Sequence, residues 1–176
     1  MAAKQPISLQ PTAMLFVLAL FALSLSACGW EPLYSDATME RAAPQLAAIK
    51  VQPIKDHIGQ LLEWSLREGF NPDGLEAKQK YALHVVLTIR QTNQGVEINN
   101  AATRGMINAT AEFSLTTLDN KKTLYRSRTQ SLTDFNILDD AYASQVAQGD
   151  AEKRAVRDIS DEIQTRLTLF LRDNPV

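Results

Sequence analysis

The chain has 176 residues, of which 18 are Lys or Arg and 20 are Asp or Glu, a net charge of −2 at neutral pH. That balance lacks the basic surplus of a general nucleic-acid binder. Cys28 is the only cysteine, which excludes a disulfide within the chain and a cysteine-rich zinc site.

The first stretch is polar with one charge, Lys4, and an apolar run from Ala13 to Leu25 follows. The run falls short of the roughly 20 apolar residues that a spanning helix needs. It ends on small residues, as a secretory signal does at its cleavage site. Leu25-Ser26-Ala27-Cys28 resembles the lipobox of bacterial lipoproteins, in which the signal is cut before the cysteine, the thiol is diacylated and the new amino group is acylated. The resemblance implies a signal peptide over residues 1–27 and lipidation at Cys28, and composition and length then predict a lipidated tether over 28–45 and a single domain over 46–176. Cleavage would remove Lys4 and leave 17 basic residues against 20 acidic, a net charge of −3. Each buried methylene of an acyl chain contributes about 0.8 kcal/mol, so two or more chains hold a protein on a membrane it does not span. The mature length suits one domain with a real core.

After Cys28, Trp30, Leu33 and Tyr34 are bulky for a linker and suit either local packing or the lipid interface. Residues 35–45, polar and alanine-rich with Pro44, read as a flexible connection. Ile49, Val51 and Pro53 alternate with Lys50 and Gln52, which predicts a short edge strand, since proline cannot donate to a ladder. Asp56 is expected to cap a helix with the apolar stripe Ile58, Leu61, Leu62, Trp64 and Leu66. Gly69 and Asn71-Pro72-Asp73-Gly74 stop it.

A second strand places Tyr81, Leu83, Val85, Leu87 and Ile89 on one face, and Lys80, His84, Thr88 and Arg90, with Val86 among them, on the other. Thr92 to Gly95 is expected to turn. A third strand then runs from about Val96 to Leu118, with a break around Ala101–Gly105. Asp119-Asn120-Lys121-Lys122 forms a hairpin tip. A fourth strand from about Thr123 to Thr133 puts Tyr125 and Ser127 on one face and Arg126 and Arg128 on the other. Asp134 to Tyr142 connects to a long helix from about Ser144 to Arg172. Its stripe is Val146, Ala151, Ala155, Ile159, Ile163, Leu167 and Phe170. Opposite charges four residues apart mark its solvated face: Asp150 with Arg154, Arg154 with Asp158, Arg157 with Asp161, Glu162 with Arg166.

One apolar sheet face and two singly striped helices predict an α+β fold, a two-layer sandwich with both helices on one face of a four-stranded, mostly antiparallel sheet. The other sheet face stays polar and free. A tethered hydrolase would need a nucleophile, a base and an orienting group, and the sequence offers no such constellation. His57 and His84 read as surface residues, and no metal or cofactor motif is present. What remains is surface: Arg90, Arg126 and Arg128 on the free face, Lys121 and Lys122 at the hairpin tip, and Arg104, all able to meet anionic phosphates.

Four segments carry a family resemblance. They are Cys28-Gly29-Trp30-Glu31-Pro32-Leu33-Tyr34, Thr103-Arg104, Asp134-Phe135-Asn136-Ile137-Leu138, and Ala151-Glu152-Lys153-Arg154-Ala155 followed by Ile159 and Ile163. With the lipobox and the element order, the chain resembles the LptE family of lipopolysaccharide-assembly lipoproteins in its alphaproteobacterial type. Asp134-Phe135 departs from that type, which has Tyr-Asn-Val-Leu in this region. The resemblance implies an outer-membrane address, to which Gly29 conforms, since the inner-membrane retention signal is an aspartate there. It implies the β-barrel translocon LptD as partner, with the lipoprotein as a plug, and a non-enzymatic role. It also implies lipopolysaccharide binding through basic residues, for which Arg104, Lys121 and Lys122 are candidates by chemistry and position. The alternative is another outer-membrane lipoprotein that serves as periplasmic adaptor of a different envelope transport complex.

Overall fold

The computed structural model describes residues 43–174, apart from 73, 75–76, 97–101 and 120. Six elements follow in the expected order. Strand β1 (Ile49–Val51) leads to helix α1 (His57–Phe70). The long strands β2 (Tyr81–Val96), β3 (Ala102–Thr117) and β4 (Thr123–Asn136) come next, and then helix α2 (Ala141–Asp173). The sheet order is β1-β2-β3-β4, with β1 parallel to β2 and the other pairs antiparallel. The proline at 53 thus follows an edge strand, as its missing N–H requires. This is the two-layer α+β sandwich that the pattern predicts.

Alternation along β2 and β3 sends the odd-numbered side chains to the helix layer. Tyr81, Leu83, Val85, Ile107, Ala109, Ala111, Phe113 and Leu115 are buried there. They form one core with Leu62, Leu66 and Phe70 of α1 and Ala151, Ala155, Ile159, Ile163 and Leu167 of α2. Each large aliphatic or aromatic member contributes about 1.5–3 kcal/mol by leaving water. Phe113, Tyr125 and Phe170 stack in sequence, with ring centroids 6.0 and 5.0 Å apart.

The inner face of β4 is built differently. Thr129, Ser131 and Thr133 are buried in the interior layer although they are polar. Ser131 and Thr133 are satisfied by α2, which packs along this strand. Ser131 Oγ donates to Asp158 Oδ2 (2.8 Å), and Thr133 Oγ1 donates to the Ala151 carbonyl (2.9 Å). Arg166 Nη1 donates to Ser127 Oγ (2.8 Å). Between the helices, Ser65 Oγ donates to Ser160 Oγ (3.0 Å), which also accepts from Gln164 Nε2 (2.9 Å).

Several sequence expectations are corrected. Thr92–Gly95 is no turn: β2 continues to Val96, and Thr92, Asn93 and Gln94 pair with Met106, Gly105 and Arg104. Gly95 takes φ +78° inside the strand, so the turn-like composition marks a local kink in a continuing ladder. The expected break around Ala101–Gly105 is also strand from Ala102 on. Residues 43–47 are helical, so the flexible connection does not extend through 45. Asp56 occupies the N-cap of α1 at φ 68°, and its side chain makes no capping bond. Trp64 points away from the core at 66% exposure, and Val146 on α2 is likewise exposed. α2 starts at Ala141, where Asp140 caps it by accepting from the N–H groups of Tyr142 (2.8 Å) and Ala143 (3.1 Å). Of the four expected ion pairs on α2, only Glu162 with Arg166 forms (2.6 Å). Asp150 meets Lys153 instead, and Arg154 and Asp158 turn to β4.

Candidate functional site

With both helices on one side, the even-numbered side chains of β2, β3 and β4 form an open face. Register sets its rows across the three strands: His84, Ser114 and Arg126; Val86, Glu112 and Arg128; Thr88, Thr110 and Gln130; Arg90, Asn108 and Leu132. Thr88, Arg90, Asn108, Thr110, Glu112 and Arg128 surround a shallow depression of about 490 Å³ at its centre. Asn108 Oδ1 is buried and has no hydrogen-bond partner among the described residues.

The face carries three arginines, Arg90, Arg126 and Arg128, all exposed. Among the described residues none of their guanidinium groups makes an ion pair or hydrogen bond. Glu112 lies opposite Arg128 in the register without reaching it. Exposed, unneutralised guanidinium groups gathered on one sheet face are ready partners for phosphate or carboxylate. The sequence placed these three arginines on this face, and the structure brings them together.

The other basic candidates are dispersed. Arg104 is exposed at the β2–β3 end of the sheet and pairs with Asp134 across β3 and β4. Lys121 and Lys122 sit in the β3–β4 hairpin at the opposite end, where Thr117 N–H donates to the Lys122 carbonyl (3.0 Å) and Lys121 takes φ 53°. At roughly 3.3 Å per residue, β3 separates Arg104 from that hairpin by on the order of 40 Å. These three residues do not form one pocket. His57 begins α1 and is exposed, and His84 is exposed on the open face. Among the described residues no group of three or more His, Cys, Asp or Glu side chains could hold a metal. No described helix is long and apolar enough to cross a membrane. Cys28, Trp30, Leu33 and Tyr34, with the signal and most of the tether, lie outside the described residues.

Three of the four resemblance segments converge at the Arg104 end. The Ile137 N–H donates to the Thr103 carbonyl (3.0 Å), and Gly105 pairs with Phe135. Arg154 Nη2 donates to the Asp134 carbonyl (2.9 Å), while Thr133 reaches the Ala151 carbonyl. A structural knot ties β3, β4 and α2 there, which gives those short segments a folding reason to keep company. Sequence reasoning missed Arg154 and Arg166 as backbone-binding residues. Their acceptors are main-chain carbonyls, which the charge pairing along the helix does not signal.

The fold has relatives. A family model for LptE, described as Lipopolysaccharide-assembly, matches residues 46–167. No curated protein matches the chain. Among solved structures, a Caulobacter crescentus protein described as a lipoprotein is similar at TM-score 0.61 and 22% identity, covering 74% of this chain and 95% of its own. A minor lipoprotein from Acinetobacter baumannii follows at TM-score 0.56 and 11% identity, with 70% and 92% covered. Rare lipoprotein B from Shewanella oneidensis is similar at TM-score 0.54 and 11% identity, with 73% and 97% covered. At such identities these structures speak for the shared fold, while the family match spans most of the chain. The match over residues 46–167, most of the α+β sandwich, identifies the chain as a member of the LptE family of lipopolysaccharide-assembly proteins.

Proposed function

We propose that the chain is anchored in the outer membrane through acyl groups on Cys28, and that it plugs and braces the β-barrel translocon LptD during the last step of lipopolysaccharide assembly. The observation that carries this is the open sheet face. An antiparallel sheet commonly leaves one face to solvent, and this one is polar apart from Val86 and Leu132, which suits the water-filled lumen of a large barrel. Such a surface binds through many polar contacts and bridging waters, with little reliance on one apolar patch. The role is assembly and support, without a chemical step. Arg90, Arg126 and Arg128 are the groups best arranged to meet lipopolysaccharide phosphates, with Arg104, Lys121 and Lys122 as outlying contacts at the two ends.

Mild-detergent extraction of the tagged full-length chain from its own cells tests the reading. The expected result is recovery of a large β-barrel in near-equal amount, with palmitate label on the chain that Cys28→Ala abolishes. Absence of the barrel overturns the plug role, and unlabelled wild-type chain overturns the anchor.

A further inference from the structure

The sheet has two outer edges, and the chain treats them differently. Along β4, the Arg128 carbonyl accepts from Arg166 Nη1 (3.0 Å) and the Asp134 carbonyl from Arg154 Nη2 (2.9 Å). Two arginines of α2 thus reach across that edge and occupy two of its outward carbonyls, on either side of Gln130 and Leu132, and covering an edge is one of the ways in which exposed strands are kept from pairing with other chains.

At the other edge, β1 covers only the beginning of β2. Its three residues pair with Tyr81, Ala82 and Leu83, and Gln52 N–H donates to the Leu83 carbonyl (2.9 Å). Pro53 follows and has no N–H to give. Since the Leu83 carbonyl points outward, regular alternation turns the N–H and C=O groups of Leu87, Ile89, Gln91 and Asn93 outward too. Among the described residues none of these groups has a partner. The stretch holds no proline and one charge, Arg90. Leu87 and Ile89 are only half-buried by the helix layer.

We infer that this edge receives an extended segment of a second polypeptide, which adds to β2 as a fifth strand. The segment alternates. On the helix side it carries apolar side chains that complete the cover over Leu87 and Ile89. On the open side it carries hydroxyl or acidic ones, beside Thr88 and the unpaired guanidinium of Arg90. A second copy of this chain fits less well. Its β4 edge is capped, and a β2–β2 pairing that engages all four outward residues, 87 with 93 and 89 with 91, sets Arg90 directly against Arg90. The inference does not depend on the plug reading.

Residue-resolved amide hydrogen exchange on the full-length chain in detergent tests it, with a capped peptide that alternates Val with Thr and Glu as the probe. In the free chain, the outward amides of Leu87, Ile89, Gln91 and Asn93 exchange fast, while the β3-bonded amides of Val86, Thr88 and Arg90 exchange slowly. Saturating peptide slows the four outward amides by about tenfold or more and leaves those of Gln130 and Leu132 on β4 unchanged. Gln91→Pro deletes one outward N–H and no bond to β3, so the chain folds and the protection is lost. Gln130→Pro, the matched change on β4, keeps it. Four results overturn the inference: no slowing at saturating peptide, slowing that survives Gln91→Pro, outward amides already slow in the free chain, or a concentration-dependent dimer that Gln91→Pro abolishes.

Discussion

At Gly105 the missing side chain is replaced by another residue's ring. Phe135 is opposite in the register and buried, and a Cβ on residue 105 would overlap its aromatic ring. A ring cannot slide aside as a flexible chain end can, so it or the strand must shift. Gly105→Val is expected to destabilise the fold by about 1–3 kcal/mol in urea unfolding, the usual cost of overpacking. Gly149, within α2, has nothing within 4 Å of an added Cβ. Gly149→Ala should therefore stabilise by about 0.5–1 kcal/mol through helix propensity alone. If Gly105→Val costs nothing, the ring-over-glycine account is wrong.

The helix starts show how element-level reading succeeds and fails. Asp56 and Asp140 both precede apolar stripes, and the sequence favours the first as a cap. The structure gives the capping bonds to the second. Asp140 accepts two backbone N–H groups from an extended conformation, while Asp56 sits at φ 68° with no side-chain bond. Capping depends on backbone geometry as well as residue type. Asp140→Ala should cost about 1 kcal/mol. Asp56→Gly should be neutral or stabilising, because glycine adopts positive φ freely. Chemical denaturation of the two variants measures the contrast, and equal losses would refute it. The strands teach a similar lesson. The alternation of β2 and of late β3 was legible because burial there is apolar. The inner face of β4 was not, because Ser131 and Thr133 reach the interior by bonding to α2, and hydrophobic pattern does not register a polar seam. The length of β2 was misjudged because Gly95 and its polar neighbours compose like a turn while pairing like a strand. On the open face, position could be read residue by residue from the period of two. Which cations stay unpaired could not, since that depends on the cross-strand distance between Glu112 and Arg128. The two arginines on the β4 edge were hidden for a related reason: their acceptors are backbone carbonyls, which leave no trace in side-chain composition.

For the molecule as a whole, the asymmetry between the two sheet edges decides how it can associate. A chain with two open edges can pair β2 of one copy with β4 of the next. That contact is head-to-tail and does not close, so it grows into filaments. Capping β4 with Arg154 and Arg166 removes one half of the contact and leaves the β2 edge without a complementary edge on its own kind. Hydrogen bonds exchanged with water contribute about 1 kcal/mol net, so the caps matter less for stability than for this exclusion. The double variant Arg154→Ala, Arg166→Ala should remain folded, with a loss on the order of 1–2 kcal/mol for the hydrogen bonds removed. Its solutions should assemble progressively with concentration, visible as fast-sedimenting species in analytical ultracentrifugation. Adding Gln91→Pro to the double variant should return it to the wild-type sedimentation profile, because the growing contact then lacks its second half. Assembly that persists in the triple variant would point to partial unfolding and against edge pairing. A double variant that sediments like wild type would show that the arginines do not guard the edge.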